Sequence, residues 1–162
     1  MIHRIFVRRA RCERCGTGEA LLPDFVLRRR LDSAAAVGAA VLAHGGQTAA
    51  TEATALYAAV PARTVRSWCR AFSERAEELT TRLAALCVEW GGELPRDAPT
   101  LFKRAMVVIG AVWRVSHRRH SDQGVPPPWQ LANLIVGGQL ISTRVDLPWP
   151  FVATTIERAQ GP

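Results

Sequence analysis

Lysine is almost missing from this 162-residue chain: among 21 basic residues only Lys103 is one, and the rest are arginines. Part of that skew reflects GC-rich coding, so the positions of the arginines carry more information than their number. Long apolar runs are missing too. The greasiest stretches, residues 105–113 and 131–140, fall short of the ~20 residues a membrane-spanning helix needs. Arginines break up the N-terminus before any apolar run reaches the length of a signal-peptide core, so no export signal is read. There is no glycine-rich phosphate loop. Acidic residues become scarce beyond position 100, where only Asp122, Asp146 and Glu157 occur. Two-metal phosphoryl transfer on DNA needs about three convergent carboxylates on a sizeable sheet, and no strand run exists to hold these. The expectation is a protein that is not an enzyme and has no small-molecule substrate. Four cysteines without a secretory signal point to a reducing, cytoplasmic setting, with metal or core roles rather than disulfides.

What is present is segregated positive charge. The net charge is +7, which favours a polyanionic partner. Arg4, Arg8, Arg9, Arg11, Arg14, Arg28, Arg29 and Arg30 crowd the first thirty residues against Glu13, Glu19 and Asp24. Arg63, Arg66 and Arg70 lie in an acid-free stretch, and so do Lys103, Arg104, Arg114, Arg118 and Arg119; the acids gather between Glu74 and Asp97. This pattern is the electrostatic footprint of a nucleic-acid binder. Solvated helix faces are the plainer explanation of the same pattern.

The hydrophobic periodicity is mostly helical. Residues 1–11 mix β-branched and aromatic residues with arginine and read as a strand. It enters a tight turn at Cys12-Glu13-Arg14-Cys15-Gly16, and a short extended piece follows to Pro23. Asp32 or Ser33 would cap a helix reaching about Ala43, and a second helix is read from Thr48 to Tyr57. The strongest signal follows Pro61. Val65, Trp68, Cys69, Phe72, Ala76, Leu79, Leu83, Leu86, Cys87 and Trp90 succeed one another in steps of one, three or four, forming one stripe that ends at Gly91-Gly92. A helix opened by Thr100 would carry Leu101, Ala105, Val108, Val112 and Val115 inward and end in the basic tract 117–120. Pro126-Pro127-Pro128 forms a stiff connector, and a last helix is read from Trp129 to Leu140.

Residues 47–72 have the layout of a helix-turn-helix. The segment 47–57 supports, 58–60 turns, and a recognition helix opens at Pro61. Val65, Trp68, Cys69 and Phe72 would face inward, while Arg63, Arg66, Ser67 and Arg70 share the opposite face at spacings of three, four and seven. Arginine bonds guanine edges bidentately or holds phosphate, and serine and threonine do either more weakly. Arg63, Thr64 and Ser67, nearest the helix start, are the candidates for base contact, with Arg66 beside them on the same face; Arg70 is assigned to the phosphate backbone. Val60-Pro61, Thr64-Val65-Arg66 and Trp68 resemble the recognition-helix opening of transposase-associated and resolvase-like modules. Those modules place glycine where this chain has Ala59.

Cys12-x-x-Cys15-Gly16 has the spacing of a zinc knuckle, in which two thiolates on a tight turn chelate one tetrahedral ion. Four ligands are required. Cys69 and Cys87 sit singly on the apolar stripe and read as small buried hydrophobes, and His3 is a distant third ligand at best. The run Arg-Arg-Ala-Arg-Cys-x-x-Cys-Gly, with Ala20-Leu21-Leu22-Pro23, Arg28-Arg29-Arg30 and Asp32-Ser33, is similar to a family of uncharacterised actinobacterial proteins. Members join a zinc ribbon to a helix-turn-helix and look related to the DNA-binding end of insertion-sequence transposases. The likeness extends more weakly to Trp129-Gln130-Leu131-Ala132-Asn133 and Gly137-Gly138-Gln139-Leu140. In that family a first Cys-x-x-Cys precedes the strand with which this chain begins. Its lack here implies either a start assigned too late or a site reduced to half. Zinc is therefore expected only at an incomplete Cys12/Cys15 half-site, unless two chains share an ion.

The expected fold class is mainly α, with a short N-terminal β segment (a partial zinc ribbon, residues 1–30), a helix-turn-helix (31–72), and a long-helix continuation with C-terminal helices (73–162). The expected function is sequence-specific binding of double-stranded DNA, transposase-associated or regulatory. The competing expectation is a helical protein-interaction module, because Phe72, Leu79 and Leu86 recur every seven residues and could pair the long helix with a copy of itself in a homodimer. Docking of that stripe onto the chain's own later helices is the alternative use of the same residues.

Overall fold

The computed structural model describes residues 8–16, 18–21, 26–27, 32–46, 60–94 and 98–142. The chain is mainly helical. Two short strands, β1 (Arg8–Arg11) and β2 (Gly18–Leu21), pair antiparallel with Arg8 opposite Leu21 and Arg11 opposite Gly18. Four α-helices follow among the described residues: α1 (Ala34–Gly46), α2 (Ala62–Glu89), α3 (Leu101–Arg119) and α4 (Pro128–Ile135), with a 3-10 turn at Ser121–Gln123 between the last two. The helix expected over 48–57 lies outside the described residues.

Local chemistry accounts for most of the helix ends. The Ser33 hydroxyl accepts from the Ala36 N–H at 3.1 Å, and the Thr100 hydroxyl accepts from the Lys103 N–H at 3.2 Å. Each satisfies one of the donors a helix start leaves open. At the end of α2, Gly91 adopts φ +75°. Its N–H donates to Val88 O, and that of Gly92 to Cys87 O at 2.8 Å. This paired closure needs a left-handed residue, which glycine supplies without steric cost. The expected stop at Gly91-Gly92 is therefore met, and α2 extends about 42 Å.

Three boundary or face assignments need correction. Helix α1 runs to Gly46 rather than Ala43. Helix α4 ends at Ile135, not Leu140, because Gly137 and Gly138 take positive φ and repeat the same closure, with the Gly138 N–H donating to Asn133 O at 2.8 Å. The periodicity past Ile135 was misleading: Leu140 and Ile141 are buried, but from a turn. Leu101, expected on the inner face of α3, is 49% exposed, because it opens the first turn and Phe102 takes the inward position instead.

One apolar core spans the chain from Leu27 to Ile141 and draws on both sides of position 72. Its backbone is the stripe of α2, on which Val65, Trp68, Cys69, Phe72, Ala76, Leu79, Leu83 and Cys87 are buried. Helices α1 and α3 both pack on α2, and α4 closes over α1 and α3. The Phe72 ring meets Phe102 edge-on at 5.2 Å and Trp129 at 5.6 Å, which ties α2, α3 and α4 at one point. Helix α3 then rises in the same direction as α2. Its first turn lies by Phe72, and near its end Val115 closes on Gly92. The segment before α1 joins this core through the bridge between Val26 and Ser33 and the Asn133 side-chain amide, which donates to Val26 O at 3.3 Å.

Arg75 lies on α2 among Glu74, Glu77 and Glu78, yet it is 4% exposed. Its guanidinium donates to the Ser142 carbonyl and pairs with Glu78 at 3.0 Å, and Glu78 also pairs with Arg82 at 3.2 Å. Burial pulls the Arg75 pKa down, and the Glu78 carboxylate opposes that pull. An arginine stem can lie along an apolar surface while its head finds partners, so stripe position alone did not reveal its direction.

Candidate nucleic-acid interface

The first three turns of α2 carry most of the candidate surface. Pro61 stands at the helix start with φ −56°, close to the value its ring imposes, and its carbonyl accepts from the Thr64 N–H at 2.8 Å. Inside, Val65, Trp68 and Phe72 are fully buried and Cys69 nearly so. The Cys69 thiol lies 3.9 Å from the Ala40 carbonyl of α1, which fixes the rotation of α2 about its axis. Outside, Arg63, Arg66, Ser67 and Arg70 are exposed, and Thr64 is half-buried. The structure thus brings Arg63, Arg66, Ser67 and Arg70 onto one accessible face and draws Thr64 partly beneath it.

The electrostatics of this face are one-sided at its start. No acidic residue lies in the first turn of α2, and no described acid pairs with Arg63 or Arg66. Both guanidiniums therefore add to the positive end of the helix dipole. Arg70 differs, since it is held by Glu74 at 2.9 Å. Both partners are largely exposed, so that ion pair is worth only about 0.3–0.5 kcal/mol and opens readily to a competing phosphate. Beyond Arg70 the same face turns acidic at Glu74 and Glu77, both exposed. The basic face is therefore bounded: roughly the first nine residues of α2 attract a polyanion and the next turn repels one.

Cys12 and Cys15 are exposed on the turn joining β1 and β2. Gly16 there has φ +70°, its N–H donates to Cys12 O at 2.8 Å, and its carbonyl accepts from Arg11 Nε at 3.2 Å. A tight turn thus carries both thiols outward. Among the described residues no group of three or more His, Cys, Asp or Glu side chains is placed to hold a metal ion. Two thiols alone do not fit the four-ligand set of a structural zinc site, and His3 lies outside the described residues. Cys69 and Cys87 are buried free thiols, and burial raises the pKa of each.

A second basic feature escaped the sequence reading as a site. Residues 91–94 and the end of α3 enclose a cleft of about 580 Å³, lined by Glu93, Leu94, Arg114, Val115, His117 and Arg118 among others. Trp113 stacks on His117 at 5.2 Å, and its indole N–H donates to Pro126 O at 3.0 Å. The available signal was the i, i+4 arginine pair. What the sequence did not disclose is the placement of Glu93 and Leu94 beside the pair.

No protein-family model, curated protein or solved structure matches this chain.

Proposed function

We propose that this protein binds double-stranded DNA sequence-specifically, with the opening turns of α2 as the recognition element of a helix-turn-helix. The observation that carries the reading is the division of α2 into a fully buried Val65-Trp68-Phe72 side and an exposed Arg63-Arg66-Ser67-Arg70 side. Docked by its N-terminal end, such a helix offers Arg63, Thr64 and Ser67 to base edges, while Arg66 and Arg70 meet base or phosphate. The acids at Glu74 and Glu77 keep the remainder of the helix off the backbone, which favours an end-on approach. A transposase-associated or regulatory role follows from the resemblance of the Cys12-to-Ser33 region and the Pro61 helix opening to the actinobacterial zinc-ribbon and helix-turn-helix family. In this reading the short β1–β2 pair is part of a zinc ribbon, and any zinc bound at Cys12 and Cys15 is completed by ligands other than these two.

The reading is of a cytoplasmic binding protein rather than a catalyst. Near the proposed interface, Glu74 is engaged with Arg70, and Glu78 with Arg75 and Arg82. The buried free thiols suit a reducing compartment, and no helix among the described residues is long and apolar enough to cross a membrane. For the competing homodimer module, the heptad residues Phe72 and Leu79 are already buried within one chain.

The test is selection of duplexes from a random pool, followed by salt-titrated binding of wild type and Arg63→Ala/Arg66→Ala. Loss of two phosphate or base contacts should weaken binding and flatten the log K against log salt slope by about 2. Unselective binding of equal strength by both proteins would sink the proposal.

A further inference from the structure

The cleft at the far end of α2 is the strongest unassigned feature. Arg114 and Arg118 stand one helical turn apart on α3, both exposed, and no described acid pairs with either. Residues at this spacing hold their Cβ atoms about 5–6 Å apart, comparable with the separation of neighbouring phosphates on one strand. Both line the cleft beside residues 91–94, which follow the end of α2, and both charges oppose the effect of burial on the Cys87 thiol. His117 adds a further donor within the cleft, Arg119 and His120 extend the basic surface beyond it, and Val115 and Leu94 form apolar parts of the wall. Among the described residues, the one acid that lines the cleft is Glu93.

The position of this cleft matters as much as its charge. Because α3 runs in the same direction as α2, the Arg114–Arg118 pair sits beside the C-terminal end of α2. It lies about 35 Å along the helix from Arg66. Exposed Glu74 and Glu77 lie between the two basic ends, so a single straight duplex lying along α2 meets repulsion on the way.

We infer that the Arg114–Arg118 cleft is a second phosphodiester-binding surface, which holds a nucleic-acid segment separate from the one engaged by the start of α2. The protein is then bivalent and bridges two segments. The bridging part of this inference rests on the function proposed for α2; the phosphate-binding part does not.

The test uses full-length wild type, Arg63→Ala/Arg66→Ala and Arg114→Gln/Arg118→Gln, each checked for an unchanged thermal melt. Arg114→Lys/Arg118→Lys serves as the charge-retaining control. One duplex is immobilised, and capture of a second, labelled duplex is measured across a salt series. Wild type and the lysine control should capture the second duplex, while either double variant should lose capture but still bind one duplex with a salt slope lowered by about 2. Bridging and a salt slope equal to wild type in Arg114→Gln/Arg118→Gln would overturn the inference. So would a wild type that never bridges while Arg114→Gln/Arg118→Gln lowers the slope, since both surfaces would then lie on one segment. If instead Arg63→Ala/Arg66→Ala alone behaves as wild type, the α2 reading fails while the glutamine variant still judges the cleft.

Discussion

Trp68 shows how a single side chain sets the orientation of the candidate surface. It is fully buried, and its neighbours two residues to either side, Arg66 and Arg70, are exposed. Turning α2 by a third of a revolution would bury guanidiniums and expose the indole, at a cost no surface contact recovers. Trp68→Ala should destabilise the fold by about 3–5 kcal/mol and weaken DNA binding only as far as the folded fraction falls, which urea melts and binding measured on the same samples would separate. The cysteines divide in the same residue-level way. Cys12 and Cys15 are exposed, whereas Cys69 and Cys87 are buried with thiol pKa values pushed up by desolvation. A thiol-specific reagent should label two sites per native chain and four after denaturation. A raised folded-state pKa means the neutral thiol is favoured in the fold. That contribution is fully present below the ordinary thiol value near 9.0 and is lost as the pH rises above it. Melting temperature should therefore fall as the pH rises past 9.0, and fall less in Cys69→Ala/Cys87→Ala.

At the scale of the element, glycines show how packing overrides propensity. Gly38 and Gly110 both lie inside helices, where alanine is intrinsically favoured by about 1 kcal/mol. A Cβ at Gly38 collides with the Trp129 indole, whereas one at Gly110 meets only Arg114 Nη1 at 3.6 Å, an ordinary contact. Gly38→Ala should thus destabilise by about 1–3 kcal/mol, and Gly110→Ala should stabilise by about 0.5–1 kcal/mol. Equal shifts in chemical denaturation midpoint would contradict the packing of α4 on α1. The elements were also the most legible level in the sequence. The start of α2 at Pro61, its stop at Gly91-Gly92 and the Thr100 cap of α3 are written in local chemistry that acts within four residues. Helix α4 was misjudged because Leu140 and Ile141 continue the apolar content after the Gly137-Gly138 closure, and burial does not distinguish a helix from a turn.

For the whole molecule, the decisive contact is Arg75. It joins α2 to the chain at Ser142, 67 residues later, and so closes the bundle from its C-terminal side. Removing the guanidinium leaves a carbonyl and the Glu78 carboxylate with fewer partners. Arg75→Met should cost about 2–4 kcal/mol, and more than Glu78→Gln, because Glu78 is partly solvated and has Arg82 as well. Urea melts of the two variants rank them directly.

Composition and periodicity by themselves determined a mainly helical chain, the long amphipathic α2, and, Arg75 apart, which side of it faces the core. They could do so because helix geometry links positions three and four apart, and capping acts over a single turn. Only the tertiary structure decided that Arg75 turns inward, that Phe72 meets both Phe102 and Trp129, and that α3 runs alongside α2 in the same direction. Each of these depends on groups brought together across tens of residues. The distance between the Arg63–Arg66 face and the Arg114–Arg118 pair has the same origin: the arginines are visible in the sequence, but how far apart they lie is set by how the helices pack.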